Sequence, residues 1–374
     1  MDSKTILHCI PSMGGGGAER QLTYLATELT RMGWNVHVVL LHEGPNLAHL
    51  QSSGATIHKL IARNNYDPKI FWQLLQIIRT LKPDLIQVWI IQMEILGGIA
   101  AQIMRLPWIF SERSSQLFYS AAYSPSLKKR LRVFLASRAN AIVSNSTGGD
   151  SYWRTQLQGC VPQYIIPNIV PFEEIDASAS VVSSNITLEL DWKVVLFAGR
   201  FDAGKNIDKL IAALEKVLQQ PEVVAVLCGD GPDRSRIQQL LKQSIIADRV
   251  FLPGYVSNLI GLYKRADVYV SLSLYEGHPN AVLEAAACGC PLVLSDIPAH
   301  REFLDDHSAV FVNPRESAPV AEAITSVLSD SSQAKLRAAN ARAAIQKFSA
   351  VTIASQYQQV YQDVIAQSQK RRKN

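Results

Sequence analysis

The chain reads as an α/β protein built from two parallel-sheet units in series, and three observations predict it. Through the first half, short apolar runs alternate with stretches of helical periodicity, the pattern of βαβ units whose strands pair in parallel. Around residues 176–185 the composition turns to Ser and Ala with few large apolar side chains, as in a connector. A second alternation of the same kind begins near Trp192. With 374 residues, 48% of them hydrophobic and 18% charged, the chain can bury two cores of ordinary size.

Taken in order, the first unit is expected to hold strands over 5–10, 36–41, 85–90, 108–110, 141–144 and 164–166, with helices over 18–32, 70–81, 95–104 and 127–137. His37 alternates with Val36, Val38 and Val39 and reads as a strand residue on a solvated face. The run Val194, Val195, Leu196, Phe197, Ala198 reads as a buried parallel strand. Leu210, Ile211, Leu214, Val217 and Leu218 then recur at helical spacing, with Asn206 as the N-cap. Further strands follow over 223–228, 250–251, 268–271, 292–295 and 309–312, and a last helix over 351–367. The organisation is therefore a first unit over 1–175, a connector over 176–190, a second unit over 191–348 and a terminal helix with a basic tail over 349–374.

Several classes are excluded. No stretch reaches the roughly 18 apolar residues of a membrane span, since 90–104 is broken by Gln92, Glu94 and Gln102. The opening run Ile6 to Ile10 stops at Pro11, too short for a signal peptide, which leads to the expectation of a cytoplasmic protein. The cysteines at 9, 160, 228, 288 and 290 lack zinc-site spacing and read as small buried residues in a reducing compartment, so no metal site is expected. No Arg-rich recognition helix or base-stacking pattern points to nucleic acid.

Chemistry concentrates in two segments of the second unit. Glu276 and Glu284 are separated by seven residues across a Gly/Pro turn, with Pro279 in the first helical turn. The amides of Asn280, Ala281 and Val282 then open a helix, where an anion such as a diphosphate fits. Carboxylates beside an anion suit a ligand that also carries hydroxyls, such as a sugar and a ribose. Arg200 lies just past the carboxyl end of a strand and Lys205 just before a helix, where open α/β sheets bind ligands. A guanidinium and an ammonium there can neutralise a departing diphosphate without a metal. In the first unit, Gly14 to Gly17 lie between a strand and a helix, where bare backbone can approach a ligand. Four consecutive glycines are not the Gly-x-Gly-x-x-Gly fingerprint, and no acid closes the second strand, so NAD is not expected.

These segments resemble the family 4 glycosyltransferases of GT-B architecture. The residues carrying the resemblance are Gly199-Arg200 with Lys205-Asn206, 229–232 (Gly-Asp-Gly-Pro), Gly254-Tyr255-Val256, Ala266-Asp267-Val268, the segment from Glu276 to Glu284, and 289–293 (Gly-Cys-Pro-Leu-Val). In the first half they are Gly14 to Arg20, Asn145-Ser146 and Ile166-Pro167-Asn168. The resemblance implies two Rossmann-like domains facing each other across a cleft. It also implies transfer of a sugar from a nucleotide-diphosphate donor with retention of anomeric configuration, requiring no metal or other cofactor. UDP is the expected nucleotide on family frequency, and a saccharide or lipid-linked saccharide, in glycan or polysaccharide biosynthesis, is the expected acceptor. The implied donor-binding residues are Gly15, Gly16, Gly17, Arg200, Lys205, Gly229, Gly254, Tyr255, Asn280, Ala281, Val282 and Glu284, with Glu284 on the ribose and Glu276 on the transferred sugar. Many members carry a histidine after the strand at 108–110; this chain has Ser111-Glu112-Arg113-Ser114, so Arg113 or Glu112 takes over that contact. Alternative readings are a sugar-nucleotide epimerase of the same architecture, a phosphorylase, and a noncatalytic sugar-nucleotide sensor.

Lys128, Lys129, Arg130 and Arg132 form a basic amphipathic stretch, preceded by Leu117, Phe118, Tyr119 and Tyr123, and the chain ends on Lys370-Arg371-Arg372-Lys373. With a net charge of +5 and a pI near 8.9, this composition reads either as contact with an anionic membrane surface or as a solvated helix face and tail.

Overall fold

The computed structural model describes residues 3–113, 127–179 and 187–373. The chain divides into two compact units, one of Met1–Ile169 with Ala350–Asn374, the other of Val170–Ser349. Leu117, Phe118, Tyr119 and Tyr123 lie outside the described residues.

The first unit is a parallel sheet of β1 (Thr5–Cys9), β2 (Asn35–Leu40), β3 (Thr56–Lys59), β4 (Leu85–Val88), β5 (Trp108–Glu112), β6 (Ala141–Ser144) and β7 (Gln163–Ile165), in the order β3-β2-β1-β4-β5-β6-β7. The order turns at β1, beside which β2 and β4 both pair, so the strands' carboxyl ends there form a switch point. The inner strands are apolar because helices cover both faces: Leu7, Cys9, Ile86, Val88, Phe110 and Ile142 join one core with Leu74 and Ile78 of the helix Lys69–Leu81. The edge strand β3, Thr-Ile-His-Lys, lacks such a run and was not expected. His37, expected on a solvated face, is buried. Its ring stacks on His58 of β3 with Nδ1 and Nε2 2.9 Å apart, because the edge strand covers it.

The second unit holds β8 (Lys193–Ala198), β9 (Val223–Cys228), β10 (Val250–Gly254), β11 (Val268–Ser271), β12 (Leu292–Ser295) and β13 (Val310–Val312) in the order β10-β9-β8-β11-β12-β13, all parallel. Val195, Phe197, Ala225, Leu227, Val270 and Val293 meet Leu210, Ile211, Leu214 and Val217 of the helix Ile207–Val217 in one core. A short helix, Phe172–Ala177, ends two residues into the expected connector and is fastened to this unit. Lys264 Nζ donates to Ile175 O at 2.7 Å and Ser178 O at 2.5 Å, and Arg342 pairs with Asp176 at 2.7 Å.

The helix expected over 95–104 starts five residues earlier, at Ile90, whose left-handed φ of 63° turns the chain directly out of β4. The terminal helix runs from Ala350 to Lys373, through the basic run. Cys9, Cys228 and Cys290 are buried as expected, but Cys160, in the turn before β7, is exposed.

Candidate functional site

Four loops at the carboxyl ends of β8, β9, β10 and β11 converge in the second unit. The loop after β8 is fixed by glycines that tolerate no side chain: a methyl at Gly229, φ 146°, would lie 1.8 Å from Gly199 O, and one at Gly231 2.4 Å from Phe201 O. Gly254, φ 81°, sits against the Arg234 guanidinium, and Tyr255 beside it is exposed. Arg200, with 71% of its side chain exposed, reaches Asp202 at 3.6 Å.

Leu274 N donates to Gly204 O at 2.8 Å, tying the β8 loop to the β11 loop. Across that junction Lys205 Nζ pairs with Glu276 Oε1, the two side chains being 24% and 15% exposed. Ser273 Oγ donates to the same carboxylate oxygen at 2.7 Å. Burial works to raise the Glu276 pKa, but the Lys205 charge and the hydrogen bonds from Lys205 and Ser273 outweigh it, so the net direction is down. Glu276 is therefore held as a carboxylate.

The support extends further. Ser295 Oγ, at the end of β12, donates to Ser273 O at 2.7 Å. His300 Nδ1 lies 2.8 Å from Ser295 O; a carbonyl only accepts, so this nitrogen carries the proton. Burial lowers the His300 pKa and keeps the ring neutral. Ser273, Ser295 and His300 were not singled out from the sequence. Ser273 lay inside the segment read for its carboxylates, whereas His300 is a lone histidine whose role depends on a strand end brought to it by the fold.

The helix Asn280–Ala287 begins one residue later than expected, because Pro279, with ψ 100°, takes the N-cap position. Asn280, Ala281 and Val282 are its first three residues, whose N–H groups have no acceptor within a helix. Glu284 is buried on its second turn. Asn206 precedes the helix Ile207–Val217 but does not cap it by side chain: its φ is 56° and its Nδ2 donates to Pro314 O at 2.6 Å. The fold thus gathers Arg200, Lys205, Glu276 and the helix opening at Asn280 on the strand ends of one sheet.

In the first unit, Gly15, Gly16 and Gly17 are exposed in the loop between β1 and the helix Gly17–Arg31. Asn46 Nδ2 donates to Gly14 O. The buried Glu19 carboxylate accepts from Ser12 Oγ at 3.2 Å and lies so close to Gly16 that a methyl there would be 2.4 Å from it.

Of the two residues offered in place of the family histidine, Glu112 is not available. It is fully buried, accepting from Arg132 Nη2 and Trp153 Nε1 at 2.9 Å each. Arg132 correspondingly leaves the expected basic surface stretch: it is buried, grips Glu94 at 2.5 Å, and lies 4.9 Å from the Phe110 and Trp153 ring centroids. Burying two carboxylates around one guanidinium raises the Glu94 pKa to about 7, burial being the main cause. Lys128 and Arg130 are exposed and Lys129 is partly so. Arg113 donates from Nη1 to Tyr357 Oη at 3.1 Å and from Nη2 to Asn168 Oδ1 at 2.5 Å, its guanidinium 5.1 Å from the Trp89 ring.

Two parallel α/β units in series with such strand-end loops have the two-domain architecture called GT-B. Two family models match: "Glycosyltransferase Family 4" over residues 15–174 and "Glycosyl transferases group 1" over 183–347. The chain belongs to the family 4 glycosyltransferases. It is 34% identical over 149 residues to an uncharacterized glycosyltransferase of Methanocaldococcus jannaschii, covering 39% of this chain and 38% of that protein. It is 23% identical to the Campylobacter jejuni N-acetylgalactosamine-N,N'-diacetylbacillosaminyl-diphospho-undecaprenol 4-alpha-N-acetylgalactosaminyltransferase, over 92% of this chain and 96% of that one. Matches to other curated relatives span 58%, 46% and 62% of their length. Among solved structures, Anabaena HepE in complex with UDP and glucose superposes with a TM-score of 0.80 at 22% identity, over 96% of this chain and 100% of that one. Among the described residues, no helix is long and apolar enough to cross a membrane.

Proposed function

We propose that this chain is a retaining hexosyltransferase that moves a sugar from a nucleotide-diphosphate donor, a UDP-sugar, to a saccharide or lipid-linked saccharide acceptor in glycan biosynthesis. The observation that carries this reading is the Lys205–Glu276–Ser273 constellation beside the opening of the helix Asn280–Ala287. Arg200, Lys205 and the amides of Asn280, Ala281 and Val282 take the diphosphate and stabilise the charge that develops as the glycosidic bond breaks. Glu284 accepts from the ribose hydroxyls. Glu276, held as a carboxylate, accepts from a hydroxyl of the transferred sugar and fixes the anomeric carbon for attack. The leaving phosphate receives the acceptor's proton as the new bond forms on the same face. These cations supply the neutralising charge, so transfer should persist in a chelator. The Campylobacter relative's name specifies a diphospho-undecaprenol-linked acceptor, which supports a lipid-linked acceptor here and contact with an anionic membrane surface through Lys128, Lys129 and Arg130.

The test is acceptor-dependent release of nucleotide from UDP-, GDP- and ADP-sugars with chelator present, followed by NMR of the product's anomeric proton. Transfer from the UDP-sugar with the donor's anomeric configuration supports the reading. Donor isomerised without acceptor would make the protein an epimerase, and donor bound without transfer or slow hydrolysis would make it a sensor.

A further inference from the structure

Arg113 sits just past the end of β5, partly buried, with its charge uncompensated. Both of its hydrogen-bond partners, the Tyr357 hydroxyl and the Asn168 amide oxygen, are neutral, and the Trp89 face offers only a cation–π contact. Among the described residues no carboxylate pairs with it. Its neighbour Glu112 is committed to Arg132 and Trp153. The residues outside the described set include one acid, Asp2, and the segment 114–126 that follows Arg113 has none. A guanidinium taken partly out of water without a counter-ion is costly unless an anion joins it.

The donor capacity fits that role. Tyr357 and Asn168 each take one hydrogen, from different Nη atoms, which leaves the second hydrogen of each Nη and the Nε–H unspent. Tyr357 and Asn168 also hold the fork in one orientation, so little is lost when a further ligand binds.

We propose that Arg113 is the binding site for an oxyanion, phosphoryl or carboxylate, carried by the acceptor. This deepens the reading above by naming a chemical class for its acceptor. The bland alternative is that Arg113 only fastens Tyr357 of the terminal helix to the sheet.

The full chain is first saturated with UDP, so that the diphosphate site in the second unit is occupied, and is then titrated with inorganic phosphate in one arm and glucuronate in another. The readout is the arginine Nε–H NMR signal assigned by Arg113→Lys, together with calorimetry. The expected result is binding of at least one of the two anions that shifts this signal and weakens at least about tenfold in Arg113→Gln. The arm that responds identifies the oxyanion. Tyr357→Phe loosens the helix but spares the charge, so it retains most of the binding. No shift of the Arg113 signal with either anion, or equal affinity in Arg113→Gln, overturns the proposal. So does loss of binding in Tyr357→Phe as large as in Arg113→Gln. None of these readouts needs sugar transfer, so an inactive wild type would count against the proposed function alone.

Discussion

At the scale of single residues, the candidate site is built around the Lys205–Glu276 pair. Replacing Arg200 or Lys205 by Ala should cut turnover on the order of 10²-fold, measured as nucleotide release, if each stabilises the leaving diphosphate. Lys205→Met should also move the acid limb of the rate profile to higher pH. The largest influence holding the Glu276 pKa down is then gone, and the burial that raises it remains. A second pair tests the interior. Glu94 has its folded pKa raised to about 7 from 4.5, so the folded state binds more protons between those values than the unfolded one. Its contribution is complete below the unfolded value and is lost as pH rises through about 7. Glu94→Gln should therefore melt close to the wild type at pH near 5 and above it at pH near 8, on the order of 1–3 kcal/mol more stable. An unchanged difference across that range would rule out this titration. The places of Arg200, Lys205, Glu276 and Glu284, at strand ends and beside or on an opening helix, were legible in the sequence because each lies in a segment whose spacing already fixes a turn or a helix start. Arg132 was misread because a basic residue on an amphipathic helix looks the same whether it faces water or two acids from other elements.

At the scale of elements, the glycine-lined loops leave no room for a side chain. Gly229→Ala meets both a φ of 146° and the Gly199 carbonyl, so it should destabilise the second unit by roughly 2–4 kcal/mol. Urea unfolding followed by circular dichroism checks this, and a loss under about 0.5 kcal/mol would mean the loop yields. The inner strands of both sheets were legible because burial on both faces demands continuous apolar runs. β3 was not, since an edge strand buries little, nor was the helix Thr147–Leu157, whose two glycines argue against helix. That helix is secured instead by the Ser146 hydroxyl accepting from Gly149 N at 3.2 Å and by the buried Trp153.

At the scale of the whole molecule, the division into two parallel-sheet units followed from composition, while the pairing order of the strands did not, because periodicity carries no information on which strands become neighbours. A ligand confined to the second unit should stabilise it by mass action. UDP at about 100 times its dissociation constant contributes about 2.7 kcal/mol, a shift of roughly 5–11 °C for a unit of this size, which Arg200→Ala with Lys205→Ala should abolish in a thermal scan. The terminal helix carries a different consequence. Tyr361 donates to Gln87 inside the first unit and packs on Trp34 at 5.6 Å, yet it emerges only after all of Val170–Ser349 has been made. During synthesis, the half of the protein translated first is thus the half completed last, and a ribosome-stalled chain ending before Ala350 should show its later sheet protected from amide exchange while the earlier one still breathes.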